Sequence, residues 1–218
     1  MDRLLDATGQ ILRAGRRLGA RGLISAGEGN LSVRLDADRL LVTPTGRRKD
    51  ELEPDDLVIV WIDHPGPAGT PPRSRSGLAP TSDLRIHLAV HAARPDIGAV
   101  AHAHLPASMA LTLAGEVPDP TALPETSLLL SRLPYLPFGE MGSAELAGRV
   151  AAALSEAPEP FANAVLLERH GAVAVGAEVS GAVDRLELIE VLCRTWRDAL
   201  LIKAARAAGI RMGSSVPD

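Results

Sequence analysis

Ile97-Gly98-Ala99-Val100-Ala101-His102-Ala103-His104 is the stretch on which the reading of this chain turns. Small and apolar residues fill it without a helical stripe, Pro95 precedes it and Pro106 follows it. Proline stops helices and has no N–H for a sheet ladder, so the segment reads as a strand closed at both ends. Strand side chains alternate faces, which sends His102 and His104 to one side and Ala103 to the other. Two imidazoles whose backbones stand roughly 7 Å apart can converge on one ion.

Outward from this strand, Thr81 to Arg94 carries Leu84, Leu88 and His91 at helical spacing, and Ala107 to Leu113 reads as a second helix. Further upstream, residues 2–20 form an amphipathic helix pattern. Asn30 to Leu35 alternates apolar and polar and predicts a half-buried strand, and Leu40 to Thr43 predicts another. Leu57 to Ile62 is almost continuously apolar, which predicts a strand buried on both faces. The Pro- and Gly-rich residues 63–80 read as an exposed loop or a ragged hairpin. Downstream, residues 115–140 are Pro-rich, with strand-like pieces at Ser127–Leu130 and Tyr135–Phe138. Residues 143–155 are helical, Ala164–Glu168 and Ala172–Val175 are strands flanking Arg169-His170-Gly171, and a long helix covers about 180–208. Adjacent early strands followed by strand–helix alternation predict an α/β fold with a largely antiparallel sheet covered by helices.

The 218 residues suit one domain, 1–218, with 46 % hydrophobic and 23 % charged residues. Net charge is -4, which gives no electrostatic footprint for nucleic acid or an anionic membrane. Two Trp, one Tyr and two Phe offer few stacking platforms for single-stranded nucleic acid. One cysteine, Cys193, rules out an intrachain disulfide and a Cys-based zinc knuckle. No apolar run reaches the ~18–20 residues of a membrane span, and acids stand early in the N-terminal stretch. The expectation is a soluble, cytoplasmic protein.

Among the six histidines, His170 is the natural third donor for the His102/His104 pair, giving a three-nitrogen set suited to zinc with a position left open. On spacing alone, the simpler reading of the pair is one core imidazole and one solvated one. His87 and His91 are four apart on a helix but lack the Glu of a zincin, so surface or core packing is expected for them, and a solvated place for His64. Asp83 opens a helix, where an acid favours the dipole, or it turns inward as ligand or base. Thr81 and Ser82 stand at the same helix start and suit caps or a phosphate. Gly27-Glu28-Gly29-Asn30-Leu31-Ser32 and Thr43-Pro44-Thr45-Gly46 are turns that can aim N–H groups at an anion. Arg47, Arg48 and Lys49 read most simply as a solvated charge run, although one could assist an anion.

Taken in order, Gly29-Asn30-Leu31-Ser32, Thr43-Pro44-Thr45-Gly46, Pro80-Thr81-Ser82-Asp83, His102-Ala103-His104 and Arg169-His170-Gly171 resemble the class II aldolase/adducin family, closest to L-fuculose-phosphate-aldolase-like bacterial members. The resemblance runs from about residue 10 to residue 200. It implies a three-layer α/β/α fold around a mixed, mostly antiparallel sheet, a homotetramer with sites near subunit interfaces, and one zinc ion per site, although nitrogen ligands do not select strictly and other divalent metals fit the same set. Carried over position by position, it implies His102, His104, His170 and Asp83 as metal ligands and Gly29, Asn30, Thr45, Gly46, Thr81 and Ser82 as the phosphate cradle.

The implied activity is cleavage of the C3–C4 bond of a ketose 1-phosphate through a metal-stabilised enediolate. The chain departs from the aldolase pattern twice. Asp83 stands where the aldolases have a Glu, as it does in the related L-ribulose-5-phosphate 4-epimerases. Leu123-Pro124-Glu125-Thr126-Ser127 lacks the Tyr that aldolases supply from a neighbouring subunit, which makes Glu125 the substitute acid/base beside Asp83. Epimerase, dehydratase and decarboxylase chemistry on the same site are the alternatives. A metal-free adducin-like scaffold is disfavoured by the three histidines.

Overall fold

The computed structural model describes residues 3–63, 71–130, 132–156 and 159–210. His64 lies outside them. Along the described residues the order is α1 (Arg3–Ala20), β1 (Asn30–Arg34), β2 (Arg39–Val42), β3 (Val58–Trp61), α2 (Leu84–Ala93), β4 (Ala99–Ala103), α3 (Pro106–Leu113), α4 (Pro124–Leu130), β5 (Tyr135–Leu136), α5 (Ala144–Ser155), β6 (Ala164–Leu167), β7 (Gly171–Gly176) and α6 (Val179–Ala207). The strands form one seven-stranded sheet in the order β3-β2-β1-β4-β7-β6-β5. Only the β5–β6 pair is parallel.

The period-two alternation of the strands sorts the core into two layers. Ala99, Ala101 and Ala103 of β4, with Ala172 and Ala174 of β7, face Ile11 and Leu18 of α1 and Leu186 and Ile189 of α6. Alanines there let the helices approach closely. Val100, Val165, Val173 and Val175 face the other way, onto Ile86 and Val90 of α2 and Leu146 and Val150 of α5. The result is the three-layer α/β/α arrangement. Each fully buried Leu, Ile or Val contributes on the order of 1.5–3 kcal/mol. Truncating Leu186 to Ala at the α6–sheet contact is therefore expected to cost about 2–5 kcal/mol. Among the described residues, no helix is long and apolar enough to cross a membrane.

Three local expectations are corrected. β3 is an edge strand, with Val58 and Val60 buried but Ile59 and Trp61 only half-buried, so its apolar run does not mark a central position. The Ser127–Leu130 piece belongs to α4, a helix opened by Pro124, because a short apolar run carries no period that separates strand from helix. The polar positions of β1 are not solvated. Asn30 and Ser32 are buried, facing α2 on the same side as His102 and Val100, with which they pair.

Candidate active site

The end of β4, the β6–β7 turn, the start of β1 and the start of α2 meet at one side of the sheet. His102 Nδ1 lies 3.0 Å from the Ala172 carbonyl oxygen. A carbonyl only accepts, so Nδ1 carries the proton and Nε2 keeps its lone pair. That Nε2 is buried without a partner. His104 falls one residue beyond the strand end and is half-buried.

His170 rides on the three-residue turn that links β6 to β7, where Leu167 pairs with Gly171. Arg169 takes φ 57° and Gly171 φ 81°, left-handed backbone that closes such a turn. The ring centroids of His102 and His104 are 5.0 Å apart, those of His102 and His170 4.7 Å, and those of His104 and His170 4.8 Å. One nitrogen from each ring lies within 4.8 Å of the other two.

Both His170 nitrogens are also buried without partners. Unpartnered buried nitrogens converging from three rings fit a divalent metal that favours nitrogen, with room for a further ligand. Burial, aided by the His170 and His104 charges, holds His102 well below the ordinary imidazole range. Burial lowers His104 against the opposing pull of Glu28 and Asp83, and burial with His104 lowers His170. The neutral ring that this favours is the form that ligates.

Asp83 occupies the N-cap position of α2 but makes no side-chain cap bond. Its carboxylate turns inward and is 4 % exposed. Oδ2 accepts from Asn30 Nδ2 at 3.0 Å, while Oδ1 is buried with no partner. Asp83 stands beside the three-histidine group rather than within it.

Next to it opens a cleft of about 290 Å³ lined by Gly27, Glu28, Gly29, Asn30, Thr45, Lys49, Thr81, Ser82, Asp83, His104 and Met141. Five of the six expected cradle residues line it, and Gly46 does not. Backbone bonds from Thr45 N to Ala79 O (3.1 Å) and from Thr81 N to Thr43 O (3.0 Å) zip the two cradle turns together. Asn30 is present, but its side-chain amide is committed to Asp83 and His87.

Glu125 is exposed in the first turn of α4 and is not among the residues lining the cleft. Lys49 contradicts its reading as a solvated charge. It is 2 % exposed, and its Nζ donates to Gly27 O at 2.6 Å and Arg47 O at 2.7 Å. Burial lowers its pKa to about 8, against the raising effect of Asp83. Glu28 does not stand out in the sequence, yet its Oε1 stands 3.7 Å from His104 Nδ1. Asking which acid lies inside an anion-cradle turn would have found it. His87 and His91 are core residues, fully enclosed beneath the site.

Comparison with known proteins agrees with this geometry. Residues 9–197 match the Class II Aldolase and Adducin N-terminal domain. The methylthioribulose-1-phosphate dehydratase of Acidiphilium cryptum is 32 % identical over 200 residues, 88 % of this chain and 90 % of the relative. The 5-methylthioribulose-1-phosphate/5-deoxyribulose-1-phosphate aldolase of Rhodospirillum rubrum is 33 % identical over 189 residues, 86 % of this chain and 79 % of the relative. The crystal structure of L-fuculose-1-phosphate aldolase from Thermus thermophilus superposes with a TM-score of 0.77 at 27 % identity, covering 99 % of this chain and 100 % of that one. With the histidine triad in place and the match running through every element that builds it, this chain belongs to the class II aldolase and adducin family, as an enzyme of that class.

Proposed function

We propose that the chain is a zinc-dependent lyase that cleaves or forms the C3–C4 bond of a ketose 1-phosphate. One observation supports this most: three converging imidazoles adjoin a cleft that holds a buried carboxylate with one oxygen free. His102, His104 and His170 would hold the metal. When bound, it supplies Lewis acidity for substrate oxygens beside the breaking bond.

The chain's own residues do the rest. The hydroxyls of Thr45, Thr81 and Ser82 and the N–H groups of Gly29 and Ser82 take the phosphate, while Gly46 shapes the turn that carries Thr45. Lys49 adds a cation, and Asn30 acts on Asp83 rather than on the anion. Asp83 Oδ1 moves the proton at C3. The proton of the C4 hydroxyl needs a second group. Glu125, exposed on α4, fills that role in a homotetramer where α4 of one protomer borders the site of its neighbour. The reading places the enzyme in the cytoplasm, as a single domain.

A second reading, dehydration, is favoured by the position of Glu125 outside the cleft-lining set. Asp83 alone can take the C3 proton and return it to a departing C4 hydroxyl. Incubation with L-fuculose 1-phosphate, 5-deoxyribulose 1-phosphate and 5-methylthioribulose 1-phosphate separates the two. Cleavage releases dihydroxyacetone phosphate and an aldehyde, whereas dehydration keeps every carbon and loses one water. L-Ribulose 5-phosphate tests epimerisation. Conversion of none of the four, with metal bound, would sink the proposal.

A further inference from the structure

Beneath Asp83, a row of buried polar side chains joins β1 to α2. His91 Nε2 lies 3.0 Å from Ser32 Oγ, Ser32 Oγ lies 2.7 Å from His87 Nδ1, and His87 Nε2 lies 2.6 Å from Asn30 Oδ1. Asn30 Nδ2 then lies 3.0 Å from Asp83 Oδ2. His87 and Ser32 are fully buried, and His91 is 1 % exposed.

The proton positions in this row follow from its end. A carboxylate accepts, so Asn30 must turn its NH₂ to Asp83 and its carbonyl to His87. That carbonyl needs a donor, which places a proton on His87 Nε2. Burial lowers the His87 pKa to about 4, so near neutrality the ring carries one proton and Nδ1 is bare. Nδ1 therefore accepts from the Ser32 hydroxyl. With its one proton spent, Ser32 Oγ accepts from His91 Nε2. His91 Nδ1 is then bare, and it is the buried ring nitrogen of that residue without a partner. Every bond in the row points the same way.

We propose that His87 is a positioning residue for Asp83: a one-way chain of donors from His91 through Ser32, His87 and Asn30 clamps Oδ2 and leaves Oδ1 for the reacting proton. The functional part of this inference rests on the reading of Asp83 as the proton-moving group. Arg34 steadies the far end, its Nη2 donating to the His91 carbonyl at 2.6 Å. A stripped carboxylate would rotate, and supporting shells of this kind govern about 10–100-fold of activity or affinity at metal sites.

Two measurements test it, and the first needs no turnover. Long-range ¹H–¹⁵N correlation spectra of the whole ¹⁵N-histidine-labelled protein at pH 7 report each ring's tautomer. The expected result is Nε2–H for both His87 and His91 and Nδ1–H for His102. Nδ1–H or a charged ring at His87 overturns the proposal, because the row would then run backwards.

The second measurement compares His87→Gln with His87→Asn in the zinc-loaded enzyme, following solvent deuterium exchange into dihydroxyacetone phosphate. Gln keeps a donor for Asn30, whereas Asn keeps only an acceptor for Ser32. His87→Asn is expected to lower the exchange rate at saturation by about tenfold or more beyond any fall in His87→Gln, with similar KM values. Equal losses overturn the positioning role. Absence of exchange in the unaltered enzyme overturns the lyase reading and leaves the ring nitrogens to decide the hydrogen-bond row.

Discussion

Gly171 presses its backbone against the Ala103 carbonyl so closely that a Cβ on Gly171 would collide with that oxygen. The contact draws the β6–β7 turn onto the end of β4 and so brings His170 to His102 and His104. Gly29 does the same from the other neighbour, at φ 68° with its missing Cβ pointed 2.9 Å from the His102 carbonyl oxygen.

Gly171→Ala is expected to cost about 2 kcal/mol or more, since it combines backbone strain at φ 81° with a steric clash. Metal content should fall along with the urea midpoint. A folded Gly171→Ala variant with full metal content and an unchanged midpoint would show that the turn does not set the triad.

Metal stoichiometry is the next expected outcome. Protein purified without added metal should carry close to one divalent ion per chain by elemental analysis, and His104→Ala should carry little. Adding zinc to stripped protein should raise Tm progressively with ligand concentration, because only the native fold presents three converging nitrogens. Equal metal content in His104→Ala would remove that residue from the site.

Acid should destabilise the metal-free protein in a defined window. His87 titrates near 6.5 when unfolded and about 4 when native, because burial penalises its charged form. Between those values the unfolded chain binds a proton that the native chain does not, so stability falls as pH drops. The contribution is intact above about pH 6.5 and falls by about 3 kcal/mol on reaching pH 4, below which His87 adds nothing further. His91 shifts in the same direction. Urea midpoints between pH 4 and 8 should show the decline, and His87→Gln should make it shallower by the His87 share, the other buried rings keeping theirs. A flat profile in the unaltered protein would contradict neutral burial of these rings.

Strand periodicity alone puts His102 and His104 on one face, which makes that pair legible in the sequence. His170 is legible only as a donor beside a glycine turn, and Gly171 explains why that turn closes here. The row beneath Asp83 is hidden by two patterns, each with an ordinary reading. Asn30 and Ser32 at alternate strand positions look like a solvated face, and His87 and His91 four apart look like packing. Nothing local states that the two polar stripes face each other, since that depends on α2 crossing over β1. Lys49 escapes a local reading for a similar reason. Gly15 of α1, where a Cβ would meet the Lys49 backbone, lets that helix cover a residue embedded in a charged run.

Lys49 supplies the last test, and inorganic phosphate is the probe. Lys49 and His104 are the only basic side chains among the residues lining the cleft, and the Lys49 Nζ is held at its wall by two carbonyl acceptors. Lys49→Met keeps the length and removes the charge. It is expected to weaken phosphate binding by about 1.5–3 kcal/mol, the worth of a hydrogen bond to a charged group. The pH dependence gives an independent check. Burial holds the amine near 8, so its charge fades as pH rises through that value, and phosphate affinity should fall between about pH 7 and 9. Lys49→Met should lack this fall. Calorimetric titration of both proteins at the two pH values measures the effect, and parallel curves would place the anion away from Lys49.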